Sequence, residues 1–486
     1  MKTNRWISIL LLLALSVPVT GCSNDTPSSV NEDTPDNSSG QEITGETEDP
    51  LSVRDDLPAD LDFSGRTYRI LTSDTTFNAK MVIEEETGDT LNDAKFRRNS
   101  AVSDRFGITI TEEFADWRDV RDNAKNLISA GDDAYELMSI VDRVALTYAA
   151  EDMLLPFDSL EYNDLSKPYW NRSINDGITI AGQHVLAYSD FNITAYDFTH
   201  VLVYNKNMAE QLNLTSPYDL VDAGTWTLET YGQYLAQALK DLNGDGVYDG
   251  SDIYGFVSNS IHLAPTLWIA GEALTITKDE NDLPVYTMQN DRMISLLDTA
   301  NDLYWSKGYW YQDCENSAAG YAMFATENSL FVDANFGALF REEFRGMESD
   351  YGIIPYPKYD EAQTTYYARV EGGSPHVIPT TAGDPAFSSA ILEALACESY
   401  NSVLPVYYEI ALKTKLARDD QSVKILDMMM QNRIYDLGDT FFCEQIRDGF
   451  VANAFSAGRP VTASLIEKNA ARVENAIKKI VEPLTD

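Results

Sequence analysis

The sequence has few residues of the types that most often carry catalysis or metal binding. It contains four histidines and four cysteines among 486 residues. It has no HExxH arrangement, no GxSxG elbow and no Walker-type glycine loop, and the cysteines lack metal-ligand spacing. The usual sequence marks of metalloproteases, serine hydrolases and nucleotide-dependent enzymes are therefore missing. We expect no organic cofactor, and we interpret each histidine as structural.

Positive charge is also scarce. The chain has 36 lysines and arginines against 77 aspartates and glutamates, which gives a formal net charge of −41. Nucleic acids and anionic lipid headgroups bind proteins through basic surfaces. The composition therefore argues against both as partners, and it is typical of a protein kept soluble by its acidic surface.

The N-terminus has the one prominent apolar run, and this run is too short to span a membrane. Lys2 and Arg5 precede an almost continuously apolar segment at residues 7–17, whereas a span needs about 20 residues. This pattern predicts a secretory signal peptide over residues 1–21. The small residues before Cys22 resemble a bacterial lipobox, which implies that Cys22 is lipidated and holds the protein at the membrane.

The segment after the cysteine differs sharply in composition from the rest of the chain. Residues 22–60 are rich in Ser, Asn, Asp, Thr, Pro, Glu and Gly, so they cannot bury enough apolar surface to offset the entropy of ordering. We expect a disordered acidic linker there. From about residue 61 the composition is globular, and the length exceeds the roughly 250 to 300 residues at which single cores stop growing. We therefore expect two lobes.

The remaining cysteines leave two possibilities open. Cys314, Cys397 and Cys443 allow one disulfide at most. Three free, buried thiols are the alternative.

Strand and helix patterns alternate along the first part of the globular region. Strands are predicted at residues 66–73, 108–114 and 135–142, and helices at residues 92–106 and 120–130. This alternation predicts an α/β fold with a mainly parallel sheet. Ligands of such sheets collect at the carboxyl ends of the strands, where Asp142 and Arg143 stand.

Residues 241–252, DLNGDGVYDGSD, match the spacing of a 12-residue calcium loop. Gly246 permits the sharp turn at the sixth position. The expected ligands are oxygen atoms of Asp241, Asn243, Asp245, Val247, Asp249 and Asp252. Asp252 stands where a longer glutamate is usual, so a water would complete the shell or binding would be weak. We predict a structural Ca²⁺, with a metal-free acidic turn as the alternative.

Four strings, in this order, resemble the extracellular solute-binding proteins of family 1, the maltose-binding-protein-like lipoproteins of carbohydrate ABC importers. The strings are GDTLNDAKFRRNSAVSDRFGITI, HVLVYNKNMAEQLNL, TWTLETY and YGIIPYPKY. The resemblance implies a two-lobed periplasmic-binding-protein-like fold, with a mainly parallel sheet and flanking helices in each lobe, joined by a hinge. Lobe 1 would comprise residues 61–195 and 372–420, and lobe 2 residues 196–371 and 421–486.

The same resemblance implies a set of ligand-binding residues. YELMSIVDRVALTYAAEDMLLPFD is similar to the strand, Asp-Arg and helix of maltose-binding proteins, which implies that Asp142 and Arg143 bind sugar hydroxyls. SLFVDANFGALF is similar to a second-lobe segment, which places Phe336 at the ligand with Asn335 beside it. Further contacts are implied at Trp268, Tyr196, Asp197, Glu371 and Trp170. Core packing is the alternative for each tryptophan.

The resemblance implies a binding protein, not an enzyme. We expect a monomer on the extracellular face of a Gram-positive membrane, capturing a sugar or oligosaccharide and delivering it to separate permease subunits. A secreted glycosidase is an alternative, because it needs only two carboxylates and the chain has 77 acidic residues. A surface adhesion module, or a binding protein for a peptide or another polar solute, also remains open.

Overall fold

The computed structural model describes residues 53–76, 78–312 and 314–485. The predicted signal peptide, Cys22 and most of the predicted linker lie outside the described residues. Within the described part, no helix combines the length and the apolar character that crossing a membrane requires.

The strands are β1 (Thr67–Asp74), β2 (Thr109–Asp116), β3 (Leu137–Ser139), β4 (Leu154–Leu155), β5 (His200–Asn205), β6 (Tyr254–Val257), β7 (Ile276–Lys278), β8 (Pro284–Tyr286), β9 (Ser329–Asn335), β10 (Tyr351–Ile354), β11 (Ala368–Arg369), β12 (His376–Pro379) and β13 (Arg433–Ile434).

The helices are α1 (Thr90–Phe106), α2 (Trp117–Ala130), α3 (Asp142–Ala150), α4 (Arg172–Ile178), α5 (Thr194–Asp197), α6 (Lys206–Gln211), α7 (Pro217–Asp222), α8 (Leu228–Ala238), α9 (Leu263–Ala270), α10 (Asp291–Asn301), α11 (Ser317–Ala325), α12 (Glu342–Arg345), α13 (Pro385–Glu398), α14 (Asp420–Gln431), α15 (Asn453–Ser456) and α16 (Ala463–Thr485). Shorter 3₁₀ segments occupy Phe157–Ser159, Ser260–His262 and Ala338–Phe340, and π-helical segments occupy Asp302–Ser306, Ser399–Val403, Val406–Leu416 and Arg447–Ala452.

Two main sheets organise the described residues. The first has the order β2-β1-β3-β12-β4, in which β1 runs parallel to β2 and β3 while β12 is antiparallel to its neighbours. The second has the order β10-β5-β9-β6, in which only β6 and β9 are parallel. The predicted α/β class is therefore confirmed. The first sheet is mainly parallel as expected, whereas the second is mixed.

Local sequence signals explain where the first helices begin and end. The Asp89 side chain accepts hydrogen bonds from the amides of Leu91 and Asn92 at the start of α1, as an N-cap residue does. Gly107 ends this helix with φ of +66°, and a Cβ there would lie 2.5 Å from the Ser64 hydroxyl. Only glycine fits this left-handed position, so the helix stops there.

The chain passes from the first sheet to the second and later returns along an adjacent path. Thr199, just before β5, forms a bridge with Val370, just after β11. The amide of Glu371 donates to the carbonyl of Phe198 at 3.1 Å. The two connecting segments therefore lie side by side, where a rotation of one sheet against the other would bend both together.

The folded part begins before residue 60, where the sequence placed the end of the linker. The side chain of Asn401 accepts from the amide of Val53 and donates to its carbonyl, at 3.1 and 2.8 Å. Asp55 forms an ion pair with Arg105, and Leu57 packs against the core of the first sheet. Residues 53–60 are polar in composition, but these specific contacts hold them on the fold.

Cys314, Cys397 and Cys443 are all free and buried. The structure thus decides between the two alternatives that their number left open. Burial raises the pKa of the Cys443 thiol to about 12 and that of Cys314 to about 11.

Trp170 belongs to the core beside the first sheet. Its ring is 1% exposed and packs edge-on against Phe157. Its indole Nε1 donates to Glu393 at 3.0 Å, and the Tyr169 hydroxyl donates to the same carboxylate at 2.5 Å. Trp170 was expected at the ligand, but the structure uses it to satisfy a buried acid on α13.

Glu393 provides a test of this core. Burial raises the pKa of Glu393 to about 7, above its value of about 4.3 in an unfolded chain. Between these two pH values, Glu393 is therefore mostly protonated in the folded state and mostly ionised in the unfolded state. Its contribution to stability therefore falls as pH rises from about 4.3 to 7. We expect Glu393→Gln to remove this pH dependence in urea unfolding, because glutamine carries no titrating proton.

The matched variant Glu393→Leu removes the acceptor for Tyr169 and Trp170 altogether. Two buried donors without a partner should lower the free energy of unfolding by about 2 to 4 kcal/mol. Equal stability of the leucine and glutamine variants would contradict this account of the buried acid.

Candidate ligand-binding site

Asp142 lies at the end of the first sheet and contacts a segment from far along the chain. It begins α3, three residues after the end of β3, and its carboxylate accepts a hydrogen bond from the Tyr435 hydroxyl at 2.7 Å. Gly372 packs against the same carboxylate, with φ of +146° and room for no Cβ, which would lie 2.6 Å from an oxygen. Burial raises the pKa of Asp142, and the Tyr435 hydrogen bond opposes this. In this conformation Tyr435 uses one oxygen of the carboxylate expected to bind sugar.

Glu371, the other predicted carboxylate in this region, belongs to a buried ionic cluster at the start of the returning segment. His200 Nε2 donates to Glu371 at 3.1 Å, and Arg447 Nη1 lies 3.5 Å from it. Although burial opposes ionisation, the neighbouring positive charges, including that of Arg369, hold the pKa of Glu371 well below its usual range.

Arg369 is the centre of this cluster. Its guanidinium is fully buried and makes two hydrogen bonds to Asp439, at 2.5 and 2.9 Å. Its Nη1 also donates to His262 Nδ1 at 2.9 Å. The opposed charges thus satisfy each other inside the protein, as buried ions require.

The pKa values of the two histidines of the cluster are shifted in opposite directions. Burial lowers the pKa of His262 to about 4, so this ring is neutral and accepts from Arg369. Burial acts in the same direction on His200, but the Asp333 carboxylate, 3.0 Å from Nδ1, outweighs it and raises the pKa of His200. The two ring nitrogens of His200 thus face the carboxylates of Asp333 and Glu371.

A ligand atom from each of His200, His262 and Glu371 lies within 4.8 Å of the others, a spacing compatible with a metal ion. Among the described residues, this is the only such group of His, Cys, Asp or Glu side chains. However, Arg369 Nη1 lies 2.9 Å from His262 Nδ1 and 3.3 Å from His200 Nε2. The guanidinium already supplies the cation there, and a dication would have to displace it from Asp439. The geometry therefore favours an ionic cluster over a metal site.

A cavity of about 850 Å³ is lined in part by Arg143, the residue that follows Asp142. One wall comes from α2 and α3 and includes Trp117 and Arg143; the other comes from residues 441–445 and α16 and includes Phe441 and Gln445. Pockets for small ligands range from about 300 to 1,000 Å³ and combine apolar surface with a few polar groups. The cavity therefore has the size and the lining that a small polar ligand with apolar faces requires.

Arg143 is the predicted site residue that lines this cavity. It is half-buried, and its guanidinium lies 4.8 Å from the centre of the Trp117 ring and 3.6 Å from Cys443 Sγ. Sequence reasoning identified Arg143 and Asp142 because they follow a strand. It missed Trp117, Tyr435 and Phe441, because nothing local marks them as neighbours of that strand end.

The aromatic residues expected at the ligand are buried in cores in this conformation. Phe336 and Trp268 are both 0% exposed, and the Trp268 indole donates to the buried Asp436 at 3.0 Å. Tyr196 donates to Asp190 at 2.6 Å. Each ring has the partner or the packing that a core residue needs, and ligand contact by these residues stays a prediction.

The remaining predicted contacts, Asp197 and Asn335, also bind within the protein. Asp197 is fully buried and accepts from Thr76, Asn78 and Tyr407, at 2.8 to 2.9 Å. The Asn335 side chain accepts from the amide of Ala338 at 2.8 Å and holds the turn after β9. Asp197 thus binds three side chains and Asn335 positions backbone, and ligand contact by either residue stays a prediction.

The predicted calcium loop forms a tight acidic turn. Asp241 accepts from the amides of Gly244 and Gly246, at 2.6 and 2.8 Å, and Asp252 accepts from Leu242 and Asp249, both at 2.9 Å. Gly246 has φ of +80°, as the sharp turn requires. Asp245 accepts from the amide of Val247 at 2.7 Å. The carboxylates thus bond to the loop's own amides in this conformation.

Comparisons with known proteins agree with this architecture. A family model of bacterial extracellular solute-binding proteins matches residues 99–399. No curated protein sequence matches the chain.

Several solved structures share the fold at low sequence identity. The maltose/maltodextrin-binding domain MalE from Bdellovibrio bacteriovorus, bound to maltotriose, has a TM-score of 0.56 and 14% identity, covering 85% of this chain and 100% of that one. The ABC substrate-binding protein Lmo0181 from Listeria monocytogenes, in complex with cycloalternan, has a TM-score of 0.55 and 11% identity, covering 85% of this chain and 97% of that one. UgpB from Mycobacterium tuberculosis, in complex with glycerophosphocholine, has a TM-score of 0.54 and 15% identity, covering 81% of this chain and 96% of that one.

These similarities confirm the predicted two-lobed α/β fold class. The family match extends over more than half of the sequence and includes every strand of the second sheet and all strands of the first sheet except β1. The chain therefore belongs to the family of bacterial extracellular solute-binding proteins.

Proposed function

We propose that this protein is the substrate-binding component of a carbohydrate ABC importer, which captures a sugar or oligosaccharide and delivers it to permease subunits. The observation that carries the proposal is the cavity of about 850 Å³ between α2 and α3 on one side and residues 441–445 and α16 on the other. Arg143 and Phe441, from parts of the chain about 300 residues apart, line the same space.

The lining suits a carbohydrate. A sugar ring has an apolar face and a rim of hydroxyls, so it needs aromatic surface and hydrogen-bonding groups together. Trp117 and Phe441 supply the first, and Arg143, Gln445 and Asn475 supply the second. Maltotriose and cycloalternan are the ligands of two proteins that share the fold, which supports the same class of ligand here.

We expect the two lobes to close around a ligand by bending the two connecting segments and by forming contacts between the two walls of the cavity. The hydrogen bond from Tyr435 to Asp142 joins the start of α3 to the segment that precedes residues 441–445. A ligand that touches both walls binds the closed state better than the open one, so it shifts the population toward closure. No bond in the ligand needs to break for this cycle, and we propose a binding protein, not an enzyme.

A bound sugar is expected to raise the melting temperature and to reduce the radius of gyration in solution. The stabilisation follows from binding to the folded state alone, as RT ln(1 + [L]/Kd). We would screen mono- and oligosaccharides by thermal shift and measure scattering with and without the best ligand. We expect the Tyr435–Asp142 hydrogen bond of this conformation to persist in the ligand-bound state, so Tyr435→Phe should weaken binding by about two- to tenfold.

Tyr248→Phe is the matched control, because Tyr248 is 46% exposed in the acidic loop. Three outcomes would reject the proposal: stabilisation by a peptide but by no sugar, binding without compaction, or conversion of the sugar to a product. The last would favour a secreted glycosidase, and the second a surface adhesion module.

We also propose that Cys22 is lipidated after cleavage of residues 1–21 and holds the protein, as a monomer, on the outer face of a Gram-positive membrane. Cys22→Ala should move the protein from the membrane fraction to the medium while the affinity for its sugar stays unchanged, because Cys22 precedes the folded part. Fractionation followed by calorimetry measures both. Ser23→Ala is the control, and retention of the Cys22→Ala protein in the membrane would refute the anchor.

Calcium binding at residues 241–252 is a further proposal, supported by the oxygen spacing and the left-handed Gly246. Addition of Ca²⁺ should raise the melting temperature, and Asp245→Asn should weaken Ca²⁺ binding by about tenfold or more, because it removes one ligand charge. Calorimetric titration of the chelator-treated protein measures this. Glu280→Gln changes an exposed residue outside the loop and should leave the Ca²⁺ affinity unchanged. If Asp245→Asn and Glu280→Gln had the same Ca²⁺ affinity, the loop would not be the calcium site and would be a metal-free turn.

A further inference from the structure

The charges that line the cavity reverse the charge balance of the chain. Acidic residues outnumber basic ones by 77 to 36 overall, yet five cationic side chains and two carboxylates line this cavity. The cationic side chains are Arg121, Lys125, Arg143, Arg472 and Lys479, and the carboxylates are Asp122 and Glu444. A cavity lining with the average composition of this protein would have a net negative charge.

Some of this positive charge is already paired. Arg121 pairs with Asp122 at 2.8 Å, and Lys125 pairs with Glu151 at 2.6 Å. Their contribution to the potential inside the cavity is therefore largely cancelled.

The other three cations have no such pairing. Among the described residues, no carboxylate oxygen lies within 4.0 Å of the charged nitrogens of Arg143, Arg472 or Lys479. Arg143 contacts Cys443 Sγ at 3.6 Å, and Arg472 donates to the backbone carbonyl of Glu444 at 3.1 Å. These contacts satisfy donors without neutralising charge. Arg143 on α3 and the other two on α16 thus present positive charge from opposite walls.

Arginines also surround the main aromatic surface of the cavity. The guanidinium carbons of Arg118, Arg121 and Arg143 lie 4.6, 5.8 and 4.8 Å from the centre of the Trp117 ring. Cations in these positions are attracted to the negative face of the indole ring. A ligand group beside Trp117 would therefore meet guanidinium groups as well as apolar surface.

A neutral sugar would gain little from unpaired cations in a walled space. Arg143 is half-buried whereas Arg472 and Lys479 are exposed, so an anionic group would gain a Coulomb energy from the three cations that salt partly screens. Binding would also relieve the repulsion among the three cations. We infer that the cavity selects an anionic carbohydrate, with Arg143, Arg472 and Lys479 facing its acidic groups.

This inference rests on the proposed function and narrows its ligand class. The acidic groups would be carboxylates of uronic acids or sulfate esters, since both present oxygens that guanidinium and ammonium groups bind. The two sources are distinguished by experiment.

The test compares the acidic and neutral forms of the same sugars. Calorimetry on the full folded protein would use uronic acid oligosaccharides and their methyl esters, and sulfated oligosaccharides and their desulfated forms, alongside neutral maltodextrins. At 50 mM salt the acidic form of the preferred sugar should bind about tenfold or more tightly than its neutral counterpart. The difference should shrink at 500 mM salt, because salt screens the charges that remain accessible.

Charge-neutralising variants on α16 locate the effect. Arg472→Gln with Lys479→Gln should lower the affinity for the acidic form about tenfold and leave the affinity for the neutral form unchanged. Lys468→Gln with Lys478→Gln is the control, because it removes the same charge from the same helix at positions that are also exposed but do not line the cavity. Lys478 pairs with the exposed Glu482 at 3.3 Å, away from the cavity lining. This control should bind as the parent protein does.

The outcomes separate this inference from the proposed function. A neutral sugar that binds as tightly as its acidic form, or equal losses in the two double variants, overturns the anionic selectivity while carbohydrate binding stands. Failure of every sugar, acidic and neutral, to bind would reject the proposed function and this inference together.

Discussion

The buried pairing of Arg369 with Asp439 is the interaction on which the site region depends. A guanidinium buried away from solvent needs a carboxylate at a fixed position beside it. Removing one partner of a buried ion pair lowers the free energy of unfolding by about 3 to 5 kcal/mol. Arg369 lies on β11, directly before the chain returns to the first sheet, and Asp439 lies after β13, which pairs with β11. The pair therefore ties the C-terminal segment to the point where the two sheets are joined.

From that pair the cluster extends to both sides of the junction. Arg369 fixes His262 at the start of α9, and Arg447 reaches Glu371 on the returning segment. On the same C-terminal segment, Tyr435 precedes Asp439 and meets Asp142, whereas Phe441 follows Asp439 and lines the cavity with Arg143. The ionic cluster thus holds the C-terminal segment, and this segment continues into one of the two walls of the cavity.

The sequence predicted more of the scaffold than of the site. The alternation of strands and helices, the stop at Gly107 and the strand-end position of Asp142 all follow from local signals, because backbone geometry and capping act over a few residues. Asp142 and Arg143 were identified for this reason. The aromatic residues were harder to assign, because Trp268 and Trp117 carry the same chemistry and only their neighbours differ. Trp268 meets Asp436 in a core, whereas Trp117 lies at the wall of the cavity.

By itself, the sequence determined the acidic composition and the α/β class, and it predicted an N-terminal signal peptide, because each of these depends on residue types and short-range order. Only the tertiary structure decided that the cysteines are free, that residues 53–60 pack on the fold, and that a positively charged cavity exists in so acidic a protein. The last requires α3 and α16 to face each other across more than 300 residues of chain. Such proximity arises from packing the whole molecule, which no local pattern encodes.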